Sequence, residues 1–119
     1  FNSLCLNQEV IGFLIALGPG AIYHSPNFRW FELRYDQFLY VDRIVIDPTH
    51  QGLGYGRLFY DNLRESIARQ FKKITCEVNL RPQNERSLRF HRSYGFRQVG
   101  TQETEGGTKQ VSLMVCEIS

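Results

Sequence analysis

The sequence has little cysteine. Cys5, Cys76 and Cys116 are odd in number and show no CxxC spacing. That leaves no paired disulfide framework and points to a reducing, cytoplasmic setting. It also lacks a dominant charge: 14 Lys and Arg against 12 Asp and Glu give a net charge of +2. So mild a balance excludes a surface that tracks nucleic-acid phosphates, though it suits one small anionic ligand. No apolar run approaches the roughly 20 residues of a membrane span, and no basic, apolar, small-residue leader opens the chain. Neither nucleic acid nor a membrane is expected as a partner. His24 and His50 have no metal-ligand spacing with any Cys or carboxylate cluster, so no metal is expected. No internal repeat or linker divides the sequence.

What is present is aromatic and apolar. The 119 residues are 42% hydrophobic and 22% charged, with nine Phe, six Tyr and one Trp. Residues 1–119 therefore read as a single domain that fills its core without disulfides.

Ser3 to Asn7 and Val10 to Leu17 are apolar runs split by Asn7, Gln8 and Glu9, which predicts a hairpin stopped by Gly18, Pro19 and Gly20. Ala21 to Gln37 is irregular and aromatic, with Pro26 expected to break any continuous element. Phe38 to Ile46 (FLYVDRIVI) is the strongest strand, and its nearly unbroken apolar character predicts burial on both faces. After Asp47 and Pro48, the glycine-rich THQGLGYG leads into Arg57 to Phe71. There Phe59, Leu63, Ile67 and Phe71 recur every four residues as one helix face. Lys73 to Asn79 is a further short strand, closing a β, loop, α, β unit. Asn84 suits the N-cap of a helix running to Tyr94 and stopped by Gly95. Phe96 to Thr104 and Thr108 to Cys116 form a last hairpin around Glu105, Gly106 and Gly107. The order predicts an α/β (α+β) domain, a mixed sheet with helices packed on it.

Gln51, Gly52, Leu53, Gly54, Tyr55, Gly56 and Arg57 stand where a strand turns into a helix. Backbone N–H groups there are not yet used inside the helix, and with the positive end of the helix dipole they attract phosphate oxygens. Glycine lets a ligand approach where a Cβ would repel it. A Walker loop needs Lys and then Ser or Thr after its last glycine, but Arg57 and Leu58 follow. The GxGxxG dinucleotide fingerprint fails too, whether counted from Gly52 or Gly54. ATP, GTP and NAD are disfavoured. A glycine-rich turn with only a packing role is the bland alternative.

With Gln51, Gly54 and Gly56 in the pattern Gln/Arg-x-x-Gly-x-Gly/Ala, the sequence resembles the GCN5-related N-acetyltransferases (GNAT). NERSLRFHRSYGF, Asn84 to Phe96, is similar to the family's second motif. The resemblance covers essentially the whole chain. It implies a mostly antiparallel central sheet with helices on both faces, and acetyl-CoA (coenzyme A) as the cofactor. The pyrophosphate would lie on Gln51 to Arg57, and the pantetheine along Ile44, Val45 and Ile46, held by main-chain groups as a short added strand. Asn84 and His91 would also contact the cofactor, Asn84 while capping its helix.

Transfer to an amine needs a proton acceptor, because an ordinary lysine-like amine is charged at neutral pH, and the leaving thiolate needs a proton donor. Asp42, a lone carboxylate nine positions before Gln51, matches a place where the family often carries a catalytic Glu. Being one methylene shorter, it would act through a water; its alternative is a surface charge paired with Arg43. His91 stands where many members have Tyr and could donate to the thiolate; its alternative is a satisfied helix histidine. Tyr94 is expected to pack, and Cys76 to serve as a small hydrophobe.

Tyr23, Phe28, Trp30, Phe31 and Tyr35, beside Glu32 and Asp36, would wall an acceptor site for a small-molecule or peptide amine. Alternatively these aromatics tuck onto the sheet or into a dimer contact. The family's usual first strand and following two helices have no counterpart before Phe1, so the chain is expected to be truncated there. A partner chain, as in a homodimer, would then supply the missing wall. Transfer of an acetyl group from acetyl-CoA to a primary amine is the expected activity. A non-catalytic acyl-CoA-binding sensor or regulatory module is the alternative.

Overall fold

In the computed structural model the backbone is described for residues 2–6, 9–18 and 25–118, and side chains from Gly12 onward. Asn7, Gln8, Pro19, Gly20, Tyr23 and His24 lie outside the described residues. Nine principal elements follow: β1 (Asn2–Leu6), β2 (Glu9–Leu17), α1 (Pro26–Glu32), β3 (Phe38–Ile46), α2 (Tyr55–Ile67), β4 (Lys73–Arg81), α3 (Glu85–Tyr94), β5 (Arg97–Thr104) and β6 (Lys109–Glu117). One sheet runs in the order β1-β2-β3-β4-β6-β5. All neighbours are antiparallel except β3 and β4, the pair that α2 connects.

Helices cover both faces. On one, Phe59, Leu63 and Ile67 of α2 and Leu88 of α3 pack on Leu39, Val41, Ile74 and Cys76. On the other, Phe28 and Phe31 of α1 pack on Phe38, Tyr40, Leu113 and Val115. The four-residue apolar spacing thus does what it predicted. Helix α2 starts at Tyr55 and ends at Ile67, two and four residues earlier than expected, and Phe71 still packs on the core from beyond its end.

Helix α1 corrects the reading of Pro26 as a breaker. Pro26 occupies the first turn, where its missing N–H has no intrahelical partner to lose, and the Ser25 side chain accepts from Phe28 N at 3.4 Å. Helix α3 follows expectation: Asn84 Oδ1 accepts from Ser87 N at 3.2 Å, and Gly95 ends the helix at φ 124°.

The departure that matters lies in β3. Only Phe38 to Val41 are buried, and from Asp42 to Ile46 burial alternates. The cause is the sheet itself. Strands β3 and β4 are each nine residues long, yet pair only from Phe38↔Lys73 to Tyr40↔Thr75. Beyond that point β3 stays on β2 out to Ile46, and β4 stays on β6 out to Arg81. The two parallel strands part. A bulge marks the place: Ile15 pairs with Arg43 and Ala16 with Val41, leaving Asp42 extra. Bulges bend a strand and re-aim its side chains.

Candidate functional site

The gap between the parted strands opens into a cleft of about 400 Å³. Ile44 and Ile46 of β3 form one side, and Asn84, Ser87, Phe90 and His91 of α3 and its cap form the other. The end is closed by His50, Gln51, Gly52 and the turn Gly54, Tyr55 and Gly56.

Gly54 caps α2 in the left-handed region at φ 89° and offers no side chain to the helix end. The first intrahelical bond is Leu58 N to Gly54 O at 3.2 Å, so the amides of Tyr55, Gly56 and Arg57 have no acceptor within the helix. No acidic residue stands in the first turn to neutralise them. An anion is the ligand this end of the cleft suits. Gly56 has a second purpose: a Cβ there would meet Phe90 Cζ at 2.9 Å, so glycine lets α2 and α3 close against each other. Gln51 ties the loop to both walls, donating from Nε2 to Ile46 O at 3.1 Å and accepting from Arg86 Nη1 at 3.4 Å.

His91 forms the buried floor, with 4% of its surface exposed. Its Nδ1 lies 2.7 Å from the Ser87 carbonyl, which can only accept, so Nδ1 carries the proton. Nε2, 2.8 Å from the Tyr60 hydroxyl, therefore accepts from it. Burial holds the imidazole pKa below its ordinary value, which keeps the ring neutral. In this arrangement His91 has no proton to offer the cleft. That is the arrangement of the alternative reading, a satisfied helix histidine, within the cleft wall.

On the opposite face of the sheet, at the mouth of the split, stands a polar cluster. Asp42 and Glu77 each lie two residues beyond the last β3–β4 pair, Tyr40↔Thr75. The Tyr40 hydroxyl donates to Glu77 Oε2 at 2.6 Å. Asn27 of α1, held by Gln102 Nε2 at 3.0 Å, is close enough to Glu77 to lower its pKa. Burial raises the Glu77 pKa, and the Asp42 charge raises it further, against the lowering hydrogen bond from Tyr40. A carboxylate held this way is a better proton acceptor than an exposed one.

A model of the acetyltransferase (GNAT) family matches residues 1–96. The chain belongs to the GNAT family. No curated protein sequence is significantly similar to it. Among solved structures, the GNAT fold recurs in the ribosomal-protein-S18-alanine N-acetyltransferase of Escherichia coli at TM-score 0.71 and 20% identity, over 98% of this chain and 67% of that one. Ard1 of Thermoplasma volcanium gives TM-score 0.72 at 16% identity, over 95% and 66%. An aminoglycoside 6'-N-acetyltransferase complexed with coenzyme A gives 0.72 at 15% identity, over 98% and 71%. The chain thus spans about two thirds of the length of these structures.

The GNAT motif residues Gln51, Gly52, Gly54, Tyr55 and Gly56 meet Ile44, Ile46, Asn84 and His91 in one cleft. Val45, Leu53 and Arg57 do not line it. Val45 and Leu53 are exposed, and the Arg57 guanidinium lies 5.1 Å over the Tyr94 ring. Asp42 faces the mouth, not the cleft. Tyr94 packs, donating to Asp61 Oδ1 at 2.7 Å, and Cys76 is buried with its thiol pKa pushed up by desolvation. Phe28 and Phe31 enter the core, and a Cβ on Gly100 would meet Trp30 Cζ2 at 2.7 Å. Phe28, Phe31, Trp30 and Tyr35 thus pack on the sheet, the second of the two readings.

Sequence reasoning missed Glu77. The signal was available: in KITCEVN, Ile74, Cys76 and Val78 are buried against the helices, and Glu77 is the lone carboxylate of the alternate face. The same criterion selected Asp42. No helix among the described residues is long and apolar enough to cross a membrane, and no group of metal-ligating side chains occurs among them.

Proposed function

We propose that the protein is an acyl-CoA-dependent amine N-acyltransferase, with acetyl-CoA as donor and a primary amine as acceptor. The observation that carries this reading is the parting of β3 and β4 beside the open N-terminus of α2. Past Tyr40, the β3 edge that faced β4 has lost its ladder partner and is open to an added strand, with Gln51 Nε2 bonding only the Ile46 carbonyl at its end. A pantetheine amide chain laid along Ile44 to Ile46 would supply it, as an added strand does. The amides of Tyr55, Gly56 and Arg57 would hold the pyrophosphate, with Asn84 and His91 as the facing wall.

When bound, acetyl-CoA supplies a thioester carbonyl activated toward an amine. The protein's part is to remove the amine's proton and exclude competing water. Glu77 is the base that best fits this role, oriented by Tyr40, with Asp42 adding negative charge that draws a cationic amine to the mouth. The amine nitrogen would bond the acyl carbon as the carbon–sulfur bond breaks; of the two protons the ammonium group loses, one passes to Glu77 and the other neutralises the departing thiolate.

Thiol release from acetyl-CoA across a panel of amines tests the proposal. Amine-dependent release is expected, falling at least about 100-fold in kcat in Glu77→Gln. Coenzyme A binding without release on any amine would instead leave the chain a binding module.

A further inference from the structure

The three free amides at the start of α2 suffice for a pyrophosphate, but coenzyme A carries a further phosphate, a monoester dianion on its ribose. One cationic side chain faces the cleft from the opposite wall. Arg86, in the first turn of α3, lines the cleft at its exposed rim. Its Nη1 reaches Gln51 Oε1 at 3.4 Å, across 35 positions of sequence, and its Nη2 lies 3.4 Å from where a Cβ on Gly52 would stand.

That contact is a resting position. Gln51 is a neutral acceptor and the bond is long, whereas a guanidinium forms short, paired bonds with phosphate oxygens. No described carboxylate lies within ion-pair distance of Arg86 to compete. Neighbouring Glu85 is already taken, accepting from Gln83 Nε2 at 2.6 Å and facing Arg89 Nε at 3.9 Å. Arg57, the other arginine of this region, is turned toward Tyr94.

We infer that Arg86 reads the ribose 3′-phosphate of coenzyme A, leaving Gln51 to pair with it at the rim of the cleft. The assignment rests on the cofactor reading proposed above. It makes Arg86 a specificity-determining residue: it separates coenzyme A from the otherwise identical molecule that ends in a 3′-hydroxyl.

Calorimetric titration of the wild type, Arg86→Gln and Arg86→Lys with coenzyme A and with 3′-dephospho-coenzyme A tests this. The wild type should prefer coenzyme A by about tenfold or more, the scale of one charge-assisted pair. In Arg86→Gln that preference should vanish, with dephospho-coenzyme A affinity within about twofold of wild type; Arg86→Lys should keep part of it. Arg86 is exposed, so thermal unfolding of the free variants should match wild type. A preference that survives in Arg86→Gln overturns the assignment, as does equal weakening of both ligands or a wild type that binds both alike. A wild type that binds neither overturns the cofactor reading itself.

Discussion

At the scale of single residues, the chemistry turns on how Glu77 is held. Desolvation and the charge of Asp42 both raise its pKa, so the group loses its proton, and can act as base, only above the usual carboxylate range. The acid limb of kcat/KM should therefore lie above that range. Asp42→Asn removes a charge that disfavours ionised Glu77, so it should move this limb to lower pH, and a pH profile of thiol release measures the shift. An unmoved limb would mean that the two carboxylates do not act together. His91 gives a second prediction. Its folded-state pKa is depressed by burial, so below about 6.5, the ordinary histidine value, the unfolded chain binds the proton more readily. Stability should rise with pH through this window and be lost as pH falls through it. Urea unfolding from pH 5 to 7 should show that slope, and in His91→Gln it should shrink. Asp42 was legible because it is the lone carboxylate of an otherwise nearly apolar strand. Glu77 meets the same criterion on the alternate face of its strand, but what sets it apart from a surface carboxylate is Tyr40, 37 positions away, and no local pattern reports that contact.

At the scale of elements, local signals succeeded wherever the structure is locally determined. Asn84 and Gly95 mark both ends of α3, and the glycine-rich turn before α2 is legible because Gly54 needs a backbone conformation that other residues avoid. Pro26 misled for a related reason: the same residue that breaks a helix interior starts one when a Ser precedes it. Ser25→Ala should accordingly cost about 1 kcal/mol, as loss of an N-cap does, measured as a shift in the denaturation midpoint with an unchanged slope. A larger loss would mean that the Ser25 hydroxyl is needed elsewhere; it also interacts with Tyr40. The parting of β3 and β4 had no local signature. FLYVDRIVI reads as uniformly buried, and only the bulge at Asp42 and the short pairing with β4 show where the strand turns to the cleft.

At the scale of the whole molecule, those three β3–β4 pairs join the two halves of the sheet, β1-β2-β3 and β4-β6-β5. Helices α2 and α3 pack across the same seam through Phe59, Tyr60, Leu63 and Leu88. A ligand filling the cleft would touch β3 on one side and α3 on the other, so its binding should stabilise the molecule as a unit and not one loop. Linkage sets the size: at a coenzyme A concentration of about 100 times its Kd, the gain is about 2.7 kcal/mol, enough for a clear rise in Tm. Gly54→Val forces a β-branched residue into φ 89°, which should distort the α2 cap and erase most of that rise. Glu77→Gln should keep it while losing turnover, because Glu77 lies at the mouth and not among the cleft residues. Thermal unfolding of the three proteins with and without coenzyme A separates the two functions of the fold. A wild type whose Tm does not respond would show that the cleft between the parted strands is not the seat of the ligand, and a rise retained in Gly54→Val would remove the α2 N-terminus from its binding.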